Sequence, residues 1–300
     1  MPEVSGIIPA LPTPFTQDGA LDLEQIQQNL MRHNQSPLSG YVIGGSNGEF
    51  VFLEENEKVQ VVERARSVIP EDRTFIVGTG LESTQATMRL TSLMAAGGAQ
   101  VAIVVTPSYF TNQMTSAALV AHYRQVADAS PIPILLYNVP ANTGINLPID
   151  AIAQLALHAN IIGIKDSGGD IARIGAIIER TPADFSVLAG SGGFLLAALA
   201  VGAVGCISAL ANIAGSELSN MLGFFRSGAL DEARALQLKL LDINKTVTLR
   251  YGVAGLKVAL DRIGFYGGPV RAPLLPLSDD EKEAVRESLE KAGLLAAAHT

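Results

Sequence analysis

The fold this chain predicts is α/β, a (β/α)8 TIM barrel with a C-terminal helical extension, and three observations carry the prediction. Short apolar runs recur at residues 6–11, 40–43, 74–78, 101–105, 132–137, 161–165, 186–189 and 202–207. Helix-length stretches separate them, at 22–33, 55–68, 83–96, 115–129, 148–156 and 171–180. The first run ends in Pro12, Thr13, Pro14 and Phe15, which cannot cradle a pyrophosphate as the Gly-rich first turn of an open doubly wound sheet does.

Taken in order, the runs are β-branched and apolar on both faces, as a parallel sheet covered on both sides requires. The stretches between them start with helix-start chemistry, as at Ser83 before Thr84 and Gln85, or at Leu147 before Pro148. Residues 185–216 carry no charge and are long enough to span a membrane. Their glycines, with Ser191, Ser208 and Asn212, divide them instead into strand, Gly-rich turn, helix and strand. Further helices at about 216–227, 230–249, 253–263 and 279–292 exceed what a barrel needs. They read as an extension within a single domain, 1–300, with the barrel over about 6–228 and the C-terminal helices over about 229–295.

Composition narrows the function classes. Of 300 residues, 48% are hydrophobic and 17% charged, an ordinary globular balance for one large domain. The net charge is −8 and the Lys and Arg residues are scattered, so the basic stripe of a nucleic-acid binder is missing. One cysteine, Cys206, allows no internal disulfide and sits in an apolar run as a buried, inert thiol. The opening residues show neither a basic n-region nor an Arg/Ser-rich leader, so the expected compartment is the cytoplasm. The sequons at Asn34 and Asn244 are therefore read as chance matches. His33, His122, His158 and His299 are far apart and form no metal-ligand pair. Neither a phosphate-binding P-loop nor a G-x-S-x-G nucleophile elbow occurs.

In a barrel, chemistry sits where polar residues interrupt the C-terminal end of an apolar run. Of the seven lysines, those at 58, 239, 245, 257, 282 and 291 lie in helical stretches, where a lysine is normally a solvated face. Lys165 alone ends a strand. An amine held in an apolar mouth loses hydration and becomes a nucleophile toward carbonyls. The plain alternative is an ion pair with Asp166. Tyr137 ends the preceding run, so neighbouring strands bring both side chains into one mouth, where a phenol beside an amine relays protons. Its plain alternative is an amphipathic tyrosine capping the core. After the second run, the turn Gly44, Gly45, Ser46, Asn47, Gly48, Glu49 offers hydroxyl and backbone N–H groups to an anion.

These segments, in this order, resemble the dihydrodipicolinate synthase/N-acetylneuraminate lyase superfamily of pyruvate-dependent class I aldolases over about residues 6–292. The 45–49 turn is similar to the family's carboxylate-binding motif. Tyr137, Asn138, Val139 and Pro140 match its tyrosine motif, and Gly163, Ile164, Lys165 and Asp166 its lysine motif. Within the superfamily the resemblance is closest to the mitochondrial-type 4-hydroxy-2-oxoglutarate aldolases. It rests on the segments at 45–50, 82–87, 139–144, 165–170, 209–212 and 266–269. Two departures separate the chain from true dihydrodipicolinate synthases, which carry two threonines at Ser46 and Asn47 and an arginine at Asn142. The stretch after Lys165 is also unlike that of sialic-acid lyases, which keep a Thr-rich sugar-binding pattern there.

The resemblance implies that Lys165, Tyr137, Ser46 and Tyr109 are catalytic, with no cofactor beyond a covalent imine on Lys165. Ser46, Asn47 and Ser167 would bind substrate, with Gly190 and Ile207 completing that set; Ser167 has a plain alternative as the cap of the following helix. Tyr109 would reach into a neighbouring subunit's site, which implies a homotetramer with Tyr109 shared across a dimer interface. Its plain alternative is a packed tyrosine at a subunit contact. The expected partners are a 2-oxo acid and an aldehyde, with no nucleic acid and no membrane. The expected reaction is cleavage of 4-hydroxy-2-oxoglutarate to pyruvate and glyoxylate. The alternatives are a 2-keto-3-deoxy sugar acid aldolase, then a dihydrodipicolinate synthase, and remotely a non-catalytic keto-acid-binding protein. Animal relatives of the favoured kind are mitochondrial.

Overall fold

The computed structural model describes residues 4–295. The outermost residues of the expected domain, His299 among them, lie outside the described residues. Strands and helices alternate: β1 (Gly6–Pro9), α1 (Leu23–His33), β2 (Gly40–Ile43), α2 (Glu55–Arg66), β3 (Thr74–Gly78), α3 (Thr84–Ala96), β4 (Val101–Val105) and α4 (Ser116–Ala129). There follow β5 (Ile134–Asn138), the short α5 (Pro140–Thr143), α6 (Ile149–Leu155), β6 (Ile161–Asp166), α7 (Ile171–Glu179), β7 (Ser186–Ala189), α8 (Leu195–Ala200), β8 (Gly205–Ser208) and α9 (Gly215–Ser227). The C-terminal helices are α10 (Leu230–Lys245), α11 (Gly252–Arg262) and α12 (Asp279–Lys291).

The eight strands form one parallel sheet in the order β1-β8-β7-β6-β5-β4-β3-β2. Its ends meet through a parallel bridge between Ala10 and Val42 and the bond from Leu11 N–H to the Val42 carbonyl, 2.9 Å. This is the predicted (β/α)8 barrel with added C-terminal helices. Ile8, Val42, Ile76, Ile103, Leu135, Leu188 and Ile207 fill its interior. The alternate positions of the same strands face the helices, which is why the runs read as continuously apolar.

Four predicted strands shift at their ends: β6 runs one residue further, to Asp166, and β5, β8 and β1 also change. Pro133 has no N–H for the ladder, so β5 starts at Ile134 rather than at residue 132. Gly202 takes a φ of 107°, outside strand geometry, so β8 begins only at Gly205. Beyond Pro9 the first run continues as the bridge to Val42 and a bond from Ala10 N–H to the Ser208 carbonyl at 3.1 Å. The predicted helix over 230–249 likewise splits, with α10 followed by a π-helical turn at Thr246–Arg250. Side-chain caps fix other starts: Ser83 accepts from Ala86 N–H at 3.4 Å, and Ser278 forms a capping box with Glu281.

The C-terminal helices lie over the barrel. Gln237 on α10 donates to the Gly192 carbonyl beyond β7 (2.9 Å), and Ser288 on α12 donates to Asp242 on α10 (2.7 Å). Among the described residues no helix is long and apolar enough to cross a membrane.

Candidate active site

Ladder register places the two leading residues side by side. Tyr137 on β5 pairs with Lys165 on β6, and Asn138 pairs with Asp166 in the next step. Both side chains are buried in the barrel mouth, with the Lys165 Nζ 4.2 Å from the centre of the Tyr137 ring. The Ser46 hydroxyl lies 3.4 Å from the Tyr137 hydroxyl, bringing the turn after β2 to the same point. Burial is the largest influence on the phenol and raises its pKa. The charge of Lys165 and hydrogen bonding with Ser46, Lys165 and Ser167 outweigh it, so the net direction is down. A phenol beside an amine with its pKa lowered can take up and release protons.

The pairing of Lys165 with Asp166 does not form. Asp166 is fully buried and its carboxylate is committed to Arg173 (3.2 Å), the Asn138 amide (2.9 Å) and Gly168 N–H (2.8 Å). Among the described residues, Lys165 faces the mouth without a carboxylate partner. Ser167 does not cap α7 either, because Asp170 does so by accepting from Arg173 N–H at 3.1 Å. Gly190 packs so closely on Ser167 that a Cβ would lie 1.9 Å from its hydroxyl oxygen. Glycine is therefore required there if Ser167 is to stay at the mouth. Ile207 is buried in the same interior layer as Tyr137. Cys206 is buried, and its thiol is pushed up to about 11 by burial, as an inert structural cysteine should be.

The turn after β2 is tied on three sides. Ser46–Gly48 forms one short 3-10 turn. Thr13 donates to the Gly48 carbonyl (2.7 Å), and Asn47 commits one amide hydrogen to the Ala10 carbonyl (3.1 Å). The third tie is Glu49, whose Oε1 lies 2.6 Å from the Nζ of Lys257. Lys257, expected on a solvated helical face, is in fact 1% exposed. The reason is that α11 is covered on that side by the segment running through Pro269, whose carbonyl accepts from Nζ at 2.7 Å.

A cavity of about 320 Å³ opens beside Ser46, lined also by Phe50, Lys58, Glu82, Thr106 and Asn142. Tyr109 does not join Ser46 and Tyr137 within one chain: it is 80% exposed and stacks edge-on against Phe110 at 5.1 Å. Its loop is nevertheless fixed, because Glu82 accepts from the backbone N–H groups of Ser108 and Tyr109, each at 2.9 Å. Glu82 and Lys257 were missed as functional candidates. Lys257 did leave a signal, being the one charge in the apolar run 252–260, and Glu82 opens the 82–87 segment that carries the family resemblance, though nothing there marked it as a backbone clamp. Among the described residues no His, Cys, Asp and Glu cluster could hold a metal.

The sequence matches the dihydrodipicolinate synthetase family over residues 3–292. It is 38% identical over 291 residues to the 4-hydroxy-tetrahydrodipicolinate synthase of Methanoculleus marisnigri, covering 96% of this chain and 99% of that one. Among solved structures, a dihydrodipicolinate synthase of Bacillus anthracis superposes with a TM-score of 0.93 at 31% identity, covering 97% of this chain and 99% of that one. The chloride-inhibited dihydrodipicolinate synthase of Acinetobacter baumannii, complexed with pyruvate, gives 0.92 at 32%, again covering 97% and 99%. Family members are class I lyases and condensing enzymes that hold pyruvate as a Schiff base on a lysine, without an external cofactor. By family match, by relatives and by fold, this chain belongs to the dihydrodipicolinate synthetase family of pyruvate-dependent class I aldolases.

Proposed function

We propose that the chain reversibly cleaves 4-hydroxy-2-oxoglutarate to pyruvate and glyoxylate through an imine on Lys165. The observation that carries the site is the pairing of Tyr137 with Lys165 at one height on adjacent strands, with Ser46 against the phenol. Lys165 Nζ attacks C2 of the oxo acid and water leaves, giving an iminium that serves as electron sink. The Tyr137 phenolate takes the C4 hydroxyl proton and the C3–C4 bond breaks. Glyoxylate departs and the electron pair is held as a pyruvate enamine. Protonation at C3 and hydrolysis of the imine release pyruvate and restore Lys165.

Ser46 and the backbone N–H groups of Ser46 and Asn47 receive the carboxylate next to C2. Ser167, free of any capping duty, and Asn47, with one amide hydrogen uncommitted, suit the far carboxylate. Gly190, packed on Ser167, and Ile207, in the interior layer with Tyr137, complete the proposed substrate-binding set. Tyr109 completes the proton relay in a neighbouring copy's site within a homotetramer, which its exposure and clamped backbone support.

The substrate choice rests on Asn142. It lines the cavity beside Ser46 as a neutral side chain, where the synthases carry an arginine for their aldehyde's carboxylate. The relatives' names favour a second reading, condensation of pyruvate to 4-hydroxy-tetrahydrodipicolinate; a 2-keto-3-deoxy sugar acid is the third. Purified protein is offered 4-hydroxy-2-oxoglutarate and the sugar acid, with pyruvate release coupled to NADH oxidation, and separately pyruvate with the synthase aldehyde. The expected order puts 4-hydroxy-2-oxoglutarate first in kcat/KM. Faster turnover of either competitor overturns the substrate assignment and leaves the imine chemistry standing.

A further inference from the structure

Glu49 adopts a left-handed backbone, φ 53°, the one non-glycine residue among the described residues with a positive φ. Such a conformation costs free energy and persists only where surrounding contacts over-determine it. Here the contacts come from the C-terminal layer. Both carboxylate oxygens are engaged: Oε1 pairs with Lys257 Nζ at 2.6 Å, and Oε2 accepts from Arg271 N–H at 2.8 Å. The pair to Oε1 is ionic rather than an aligned hydrogen bond. Glu49 and Lys257 are both almost wholly buried, so neither charge has water to fall back on.

Lys257 is itself held from several sides. Its Nζ donates to the Pro269 carbonyl and stands 4.4 Å from the centre of the Phe15 ring, on which the Arg271 guanidinium also rests at 4.3 Å. The covering segment reaches α11 because residue 267 is glycine: a Cβ there would lie 1.9 Å from the Lys257 carbonyl oxygen. Arg271 continues outward to Glu57 on α2. Charge and backbone therefore run from α11 through Glu49 into the turn that carries Ser46 and Asn47.

We infer that Lys257 is a positioning residue. Through its ion pair with Glu49, the C-terminal extension sets the Ser46–Asn47 donors that receive the carboxylate of the 2-oxo acid. The inference rests on the pyruvate-imine reading above. It makes α11 part of the catalytic apparatus although no atom of α11 need touch substrate.

The test separates carboxylate recognition from folding. Lys257→Met alone strands a buried carboxylate, so the informative variant is the neutral double, Lys257→Met with Glu49→Gln; Lys257→Arg keeps the charge. Borohydride trapping rates are measured on the full chain with pyruvate and with methyl pyruvate, which presents the same ketone without the negative charge. In the double variant the pyruvate rate falls at least about tenfold while the methyl pyruvate rate changes less than about twofold, since a small misplacement of donors penalises only the substrate they bind. Lys257→Arg recovers most of the pyruvate rate. Equal losses with both compounds, or no loss with either, overturn the inference, as does a Lys257→Arg variant no better than Lys257→Met. Should the unaltered protein trap no pyruvate on Lys165, the reading beneath falls, and this inference with it.

Discussion

Tyr137 sits between opposed influences, and its use as a base depends on which wins. Burial raises the phenol, while Lys165 and hydrogen bonding with Ser46 and Ser167 bring it below its ordinary 10.0. In the proposed reaction the active form is the phenolate, so the rate is expected to rise with pH through this pKa. A lowered pKa therefore places the acid limb below the pH at which a free phenol ionises. Removing the Ser46 hydroxyl removes one of the lowering contacts, so Ser46→Ala moves that limb to higher pH as well as weakening the KM for the oxo acid. Tyr137→Phe loses the base altogether, and kcat falls by about 10²- to 10⁴-fold with imine formation retained. Stopped assays of kcat against pH check both; an unmoved limb in Ser46→Ala contradicts the assignment. At this scale the sequence was legible where a polar residue ended an apolar run, as Tyr137 and Lys165 do. At Lys257 it held only a partial signal, the lone charge in an apolar run, because a lysine on a helix face shows its burial only when the element covering it is known.

At the scale of elements, the strands were readable because both of their faces are buried, and their ends were not, because Pro133 and Gly202 act through local backbone geometry. His33 closes the predicted helix over 22–33, and its ring is buried against Phe265 at 4.4 Å. Burial, with the Arg32 charge behind it, pushes His33 down to about 3, and burial pushes His122 on α4 down to about 4. In the unfolded chain both titrate near 6.5, so below that pH the unfolded state binds protons that the fold cannot. Stability is therefore fully present above 6.5 and falls as pH drops toward 4, by about 1.4 kcal/mol per pH unit for each histidine. Urea midpoints between neutral and mildly acid pH measure this. His33→Leu removes about half of that histidine component, and a slope unchanged by His33→Leu rules out His33 as its source.

On the whole-molecule scale, one chain holds Ser46, Tyr137 and Lys165 together while Tyr109 stands exposed on a loop clamped by Glu82. A relay completed by a second copy predicts complementation. Tyr109→Phe and Lys165→Ala are each close to inactive, yet dissociating and reassembling them as a mixture restores about a quarter of full activity, the statistical share of sites with both groups intact. A mixture as inactive as its components shows that Tyr109 does not act across an interface. The barrel and its mouth follow from apolar periodicity, but no pattern within one chain records what a second copy would supply at Tyr109. The proposed reaction turns on Lys165 as the nucleophile, and borohydride reduction in the presence of pyruvate followed by peptide mass spectrometry tests it most directly. The expected result is a single stable adduct of about 72 Da on the peptide containing Lys165, lost in Lys165→Ala. No adduct, or one on another lysine such as Lys58 or Lys257, contradicts the account.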